Sequence, residues 1–207
     1  MLDVGIFGCS FTASNWPDAW PFFFAKKYSE EFNVFDYSVP GSSVEYSIYR
    51  LKEFKKQYPH GKTIFQITTP HRVTKILGNT NKIPVSDNYV RISPKWDDLT
   101  VRTMGDVRIK KDKLTKYLEH SIRHEDDYAH EVRWENALFY IQENTDFAYS
   151  HKSIQQNNNF TFPCVQDICG KTKFKKYCKA FPYDVHFKRD GAIWTADWIY
   201  GQVKQWI

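Results

Sequence analysis

Long apolar runs are missing from this chain. The longest stretch, around Trp20-Pro21-Phe22-Phe23-Phe24-Ala25, falls far short of the ~20 residues that a membrane-spanning helix needs. Cysteine is scarce, with Cys9, Cys164, Cys169 and Cys178 as the full complement in 207 residues. A disulfide scaffold would be shorter and denser in cysteine. The last three stand four and eight residues apart with His186 beyond them, yet the paired C-x2-C spacing of a structural zinc site is absent. Reduced packing thiols are therefore expected, and neither metal nor cofactor. Charge of one sign is also missing, since 29 Lys+Arg against 24 Asp+Glu leave only +5. One basic stretch, Lys171-Thr-Lys-Phe-Lys-Lys-Tyr-Cys-Lys179, interleaves lysines with aromatics. A solvated face explains it as well as a nucleic-acid patch does, and nucleic acid is not an expected partner.

Several catalytic signatures are absent too. There is no G-x-x-x-x-G-K-[ST] phosphate loop, no G-x-G-x-x-G after the first strand and no G-x-S-x-G elbow. His130-Glu131 is followed by Val132, Arg133 and Trp134, so the second histidine of an H-E-x-x-H zinc motif is lacking. Residues 1–8 contain Asp3 and read as a strand rather than a basic leader with a long apolar core. A cytoplasmic setting is the expectation, with lysis release or a virion also compatible.

What is plentiful is aromatic surface: 16 Phe, 13 Tyr and 7 Trp, 17% of the chain. Such side chains fill cores or line sugar and acyl sites, and composition does not say which. The order of elements is more informative. Leu2–Gly8 reads as a first strand, Pro17–Glu31 as a helix, and Phe32–Tyr37 as a second strand. Pro40-Gly41 breaks that strand, and Ser42-Ser43-Val44-Glu45 reads as a capping box opening a helix to about Tyr58. Val44, Ile48, Leu51 and Phe54 recur on one face of it. Thr63–Thr69 is a third strand. This alternation predicts βαβ units and a parallel sheet.

Residues 70–111 scatter Pro, Gly, Asn and Asp and read as an insertion of loops, followed by helical patterning from Lys113 to about Asn144. Phe147-Ala148-Tyr149 is a candidate fourth strand, 160–180 reads as irregular, and the chain closes on an amphipathic helix with Ile193, Ala196, Tyr200, Val203 and Ile207 on one stripe. One domain over 1–207 is expected, with its insertion at about 70–145.

The chemistry-bearing residues collect at the two ends. Ser10 follows the first strand, at the edge of a parallel sheet where open α/β folds place their ligand crevice. A serine hydroxyl needs a neighbouring base, and Asp184-Val185-His186, just before the last helix, supplies a base and a carboxylate. Gly41, before a helix start, offers an unhindered backbone N–H to an oxyanion. Each also has an ordinary explanation: Ser10 and Asp184 as caps, Gly41 as a strand-to-helix glycine, His186 as a surface or cap residue. The histidines at 60, 71, 120, 124, 130 and 151 lack supporting spacing, and surface placement is expected for them.

Gly8-Cys9-Ser10-Phe11-Thr12 resembles the first block of the SGNH, or GDSL-like, hydrolases. Gly41 falls where the second-block glycine of that family sits, and Asp184-Val185-His186 with Gly191 resembles its last block. The resemblance covers roughly residues 1–70 and 180–207. It implies an α/β/α sandwich with a flavodoxin-like parallel sheet, carrying here a loop- and helix-rich insertion. It also implies ester hydrolysis with Ser10 as nucleophile, His186 as base, Asp184 as its orienter, and the N–H groups of Ser10 and Gly41 as oxyanion donors.

Three departures are visible. Cys9 replaces the usual aspartate, one residue rather than two separates Asp184 from His186, and Gln66-Ile-Thr-Thr-Pro-His-Arg72 replaces a third block ending in glycine and asparagine. Thr68 or Thr69 is the candidate substitute donor, with Arg72 and Phe11 as substrate contacts. The expected substrate is a small-molecule or carbohydrate ester. The rival expectation is a silent protein of the same fold that binds glycan or serves in a virion or assembly.

Overall fold

The computed structural model describes residues 1–13, 19–40, 42–68, 73–76, 89–95, 98–103, 127–151, 160–182 and 184–207. Its centre is a parallel sheet of four strands, β1 (Leu2–Phe7), β2 (Phe32–Asp36), β3 (Lys62–Ile67) and β7 (Phe147–Ser150), in the order β2-β1-β3-β7. Val4 pairs with Val34, Ile6 with Ile64 and Gln66 with Tyr149. The chain steps from β1 outward to β2 and then back across to β3. A right-handed crossover in each direction puts the two connecting helices on opposite faces.

The cores bear this out. Val4, Ile6, Ile64 and Tyr149 point to one face, where Trp20 and Phe24 of α1 (Trp20–Lys27) meet Ala192, Ala196, Ile199 and Val203 of α6 (Arg189–Val203). Phe7, Phe65, Ile67 and Ala148 point to the other, against Val44, Leu51 and Phe54 of α2 (Val44–Gln57) and Trp134, Ala137, Leu138 and Ile141 of α3 (Asp127–Asn144). Two-residue alternation on strands meets three-and-four spacing on helices, which is the expected α/β architecture in layers. At Gly5 a Cβ would lie 2.9 Å from the Phe54 ring, so glycine is what lets α2 pack this closely.

Several boundaries differ from expectation. The first helix ends at Lys27 because Tyr28 leaves helical geometry (φ −115°) and turns to stack on Tyr200 at 3.8 Å, its hydroxyl donating to Asp197. In α2 the cap is Ser43, whose Oγ accepts from the Tyr46 N–H at 3.3 Å. Ser42 instead donates to the Gly8 carbonyl, and Glu45 pairs with Arg133 at 3.1 Å. The stripe of the last helix is rotated from the one expected. Ala192, Thr195, Ala196, Ile199 and Val203 are buried, while Ile207 lies past the helix and is 62% exposed. Small residues let the helix approach the sheet, and its tryptophans flank the contact.

The insertion is not made of loops and helix alone. It contains an antiparallel meander of β4 (Val73–Ile76), β5 (Tyr89–Lys95) and β6 (Asp98–Thr103), with Ile76 opposite Tyr89 and Lys95 opposite Asp98. Among the described residues, pairing of β5 with β4 stops at Ile92, two residues short of Pro94, and proline is tolerated where it breaks no ladder hydrogen bond. Residues 113–126 of the expected helical stretch lie outside the described residues. The stretch 160–180 holds α4 (Val165–Cys169), α5 (Lys171–Tyr177) and β8 (Cys178–Ala180). Gly170, at φ +77°, makes the break between the two helices, a conformation glycine adopts without penalty. The basic stretch is thus α5 and β8, with Phe174 buried and its lysines outward. All four cysteines are free and buried. No helix among the described residues is long and apolar enough to cross a membrane.

Gly191, in the first turn of α6, tests the packing beside β9 (Asp184–Phe187). Alanine ordinarily improves a helix by about 0.5–1 kcal/mol over glycine. Here its Cβ would stand 2.8 Å from both Phe187 Cγ and Tyr177 Cβ. Gly191→Ala should therefore destabilise the fold by about 1–3 kcal/mol, read as a lowered denaturant midpoint at unchanged slope. A neutral or raised midpoint would show that the two rings yield freely.

Candidate active site

β1 runs into a turn where Thr12 N–H and Ala13 N–H both donate to the Cys9 carbonyl, at 2.9 and 3.0 Å. The turn is clamped from two sides. From one, Ser42 Oγ and the Val39 N–H donate to the Gly8 carbonyl at 2.8 and 3.1 Å. From the other, Gln66 Oε1 accepts from the Cys9 N–H, the Cys9 thiol and the Thr12 hydroxyl, each at 3.2 Å. A Cβ on Gly8 would meet Thr12 Oγ1 at 2.7 Å and Gln66 Cβ at 2.9 Å, so only glycine fits. Gln66 is buried in β3. In the sequence it looked like one member of an altered block, whereas it braces the turn that carries Ser10. Its only advance signal was a carboxamide within the otherwise apolar run from Ile64 to Ile67.

β9 brings the other partners. His186 Nε2 lies 2.8 Å from Ser10 Oγ, across 176 residues of sequence, and His186 Nδ1 lies 2.7 Å from Asp184 Oδ1. The single intervening residue suffices because alternate residues of a strand share a side. The carboxylate turns back to accept the His186 backbone N–H at 2.9 Å as well as its ring N–H. With Nδ1–H donating to Asp184, Nε2 offers its lone pair to the Ser10 hydroxyl. The backbone N–H of His186, then its ring, hold the Asp184 carboxyl below the usual carboxylate range, against partial burial that works the other way.

Ser10 and His186 open into a cleft of about 430 Å³, counting its mouth, walled by Phe11, Ala19, Trp20, His151, Lys179, Phe187, Ala192 and Thr195. Phe11 stacks on His186 with centroids 4.5 Å apart and on His151 at 4.2 Å. His151 overturns the expectation of surface placement: it is 6% exposed and its Nε2 lies 3.0 Å from the Val185 carbonyl. Its position at the end of a short strand gave no hint, because burial follows from the aromatic shell of Phe11, Phe174 and Phe187 around it. His60 is exposed as expected. His71, His120 and His124, and the side chain of His130, lie outside the described residues.

Of the anticipated oxyanion and substrate residues, Gly41, Thr69 and Arg72 lie outside the described residues. Thr68, just past β3, is 3% exposed and does not line this cleft. Among the described residues no group of His, Cys, Asp or Glu is arranged to hold a metal ion. Arrangement and chemistry agree here: a hydroxyl, a base and an orienting carboxylate in hydrogen-bonded series are the parts of nucleophilic acyl transfer.

No family model and no curated protein matches the sequence. Among solved structures, the chain is similar to the psychrotrophic esterase EstA from Pseudoalteromonas sp., there inhibited by monoethylphosphonate, with a TM-score of 0.50 and 12% identity over 100% of this chain and 98% of that one. At that identity the likeness is one of fold: an α/β, esterase-like fold built on a parallel four-stranded sheet.

The lowered ionisation of Asp184 makes a stability prediction. A carboxylate with a depressed folded-state pKa contributes stability that is present above its unfolded value, near 3.9, and lost as pH falls through the folded value. Asp184→Asn should therefore be less stable than the parent at pH 7, and the gap should close as pH drops below about 4. Urea unfolding at the two pH values checks this, and a gap independent of pH would contradict it.

Proposed function

We propose that the chain is a serine hydrolase of SGNH type that cleaves an ester through Ser10, His186 and Asp184. The observation that carries this reading is the continuous series from Ser10 Oγ to His186 Nε2 at 2.8 Å and from His186 Nδ1 to Asp184 Oδ1 at 2.7 Å. Ser10 Oγ attacks the ester carbonyl carbon while its proton passes to His186 Nε2. Asp184 holds the imidazolium that results, and this cation returns the proton to the departing alkoxide. Water then repeats the sequence on the acyl-serine, releasing the acid and restoring Ser10. The N–H groups of Ser10 and Gly41, with the hydroxyl of Thr69, are assigned to the developing oxyanion.

The proposed substrate is an O-acyl group on a carbohydrate. Phe11, Trp20 and Phe187 give the cleft aromatic walls, of the kind that line sugar and acyl sites, and Arg72 is assigned to the same substrate. The second reading, a silent SGNH-fold protein that binds glycan or serves in an assembly, draws on Thr68. At the position where a donor is wanted, its side chain is buried away from the cleft.

The two readings separate in one set of measurements. Wild type should take up a fluorophosphonate on Ser10 and hydrolyse an aryl acetate. Ser10→Ala and His186→Ala should each lose on the order of 10⁴–10⁶ in kcat, with the double variant scarcely worse because the pair works as a unit. Asp184→Asn should lose up to about 10⁴. Thr69→Val should lose about 10²–10³, the cost of one oxyanion donor, whereas Thr68→Val, its side chain buried away from the cleft, should lose far less. Equal turnover by wild type and Ser10→Ala, with no label on either, would leave the silent protein as the answer.

A further inference from the structure

The strand that carries Asp184 and His186 does not belong to the sheet whose edge carries Ser10. Among the described strands β9 pairs with the three-residue β8 alone, through Cys178–Phe187 and Ala180–Asp184 with an irregularity between them. So short and uneven a ladder holds its register weakly. Yet the Ser10–His186 contact requires β9 to be fixed against the end of the parallel sheet.

A polar side chain that makes this link is His151, the residue directly after β7. Its backbone is anchored: the Gln166 N–H donates to its carbonyl at 3.3 Å, and the adjacent Ser150 N–H donates to the Pro163 carbonyl at 2.9 Å. Its Nε2 lies 3.0 Å from the carbonyl of Val185, the residue between the candidate acid and base. A carbonyl oxygen only accepts, so Nε2 carries the proton and donates. The Cys178 thiol approaches the same oxygen at 3.7 Å, a weaker second donor. The faces of the His151 ring are also engaged, stacked on Phe11 and edge-on to Phe187 at 4.6 Å, while Phe11 itself stacks on His186.

We propose that His151 is a positioning residue of this site: its Nε2–H holds the Val185 carbonyl, and through Phe11 its ring backs the His186 imidazole, so that Nε2 of His186 stays aimed at Ser10. Freeing the Val185 carbonyl lets the 185–186 peptide rotate, which swings the imidazole off the hydroxyl. A misplacement of about 1 Å costs roughly 10²-fold in rate. The kinetic consequence rests on the esterase reading, whereas the geometric one does not.

His151→Phe keeps an aromatic ring against Phe11 but removes the donor, and His151→Gln restores an N–H at similar reach. On an aryl acetate, His151→Phe should lower kcat roughly 10–100-fold with KM little changed, and His151→Gln should recover most of the loss. In ¹⁵N–¹H spectra of the histidine rings, the His186 Nδ1–H signal should broaden or shift in His151→Phe and return in His151→Gln. The wild-type His151 ring should show the Nε2–H tautomer. Unchanged His186 signals in His151→Phe, a glutamine variant as impaired as the phenylalanine one, or a His151 ring protonated at Nδ1 alone would overturn the proposal. The spectra decide even in a protein without turnover. Failure of the esterase reading shows separately, as wild type lacking Ser10-dependent hydrolysis. If His151→Phe does not fold, the tautomer and the glutamine variant still decide.

Discussion

Gln66 Oε1 accepts three hydrogen bonds from the turn that follows β1, and the placement of everything else in the site depends on that contact. β1 is an inner strand with Val4, Ile6 and Phe7 fully buried. Its exit from the sheet therefore crosses a region without water to satisfy the Cys9 amide or the Thr12 hydroxyl. A buried donor left unpaired costs about 1–3 kcal/mol. The carboxamide meets all three donors at once, and its own amino group donates to the Ile67 carbonyl at 2.6 Å. It ties the first strand to the third at the edge where the chain reverses direction across the sheet. Ser10 projects from that turn into the cleft, within 2.8 Å of His186 Nε2.

The second constraint comes from the other end of the chain. β9 is held through side chains rather than through an extended ladder, and most of those side chains are aromatic. Phe174 lies 5.3 Å from Phe187 and 5.4 Å from His151, ring to ring, and Phe11 completes the shell. The abundance of Phe, Tyr and Trp thus has two uses. Trp20, Phe24 and Phe32 fill one face of the sheet and Phe7, Phe54 and Phe65 fill the other. A smaller group assembles the cleft. Edge-to-face and stacked rings contribute about 0.5–1.5 kcal/mol each beyond the area they bury, enough together to fix a short ribbon whose few backbone bonds do not.

Much of this was legible in the sequence where local rules operate. The strands β1, β2 and β3 announce themselves by apolar runs between turn residues, α2 by Val44, Ile48, Leu51 and Phe54, and the meeting of Ser10 with His186 by block order. Local rules fail where the decisive contact is distant. Nothing near His151 in sequence tells that Phe11 and Val185 will surround it. Gln66 reads as a polar interruption until its partners at Cys9 and Thr12 are known. The meander was hidden for a different reason: its strands mix polar and apolar residues, and Pro94 lies inside one of them. The end of α1 at Lys27 follows from the pull of Tyr28 toward Tyr200 and Asp197, a tertiary contact that overrides a helical pattern running on to Glu31.

The one-residue spacing of acid and base has its own logic. On an extended strand, residues two apart share a side, so Asp184 and His186 face the same way with no loop between them. The carboxylate then folds back on its own strand, and Oδ1 accepts both the backbone and the ring N–H of His186. This geometry couples the two roles of the acid. The bond to the backbone N–H fixes the carboxylate, and the bond to the ring N–H fixes the tautomer that leaves Nε2 open to Ser10. The Asp184 side chain stays 42% exposed, which weakens its Coulomb contribution through solvent screening. In the proposed reaction its part is orientation rather than field strength. An acid that acts by orientation depends on the straightness of the strand beneath it, and Val185, at the centre of that strand, is where the sheet end reaches across to hold it.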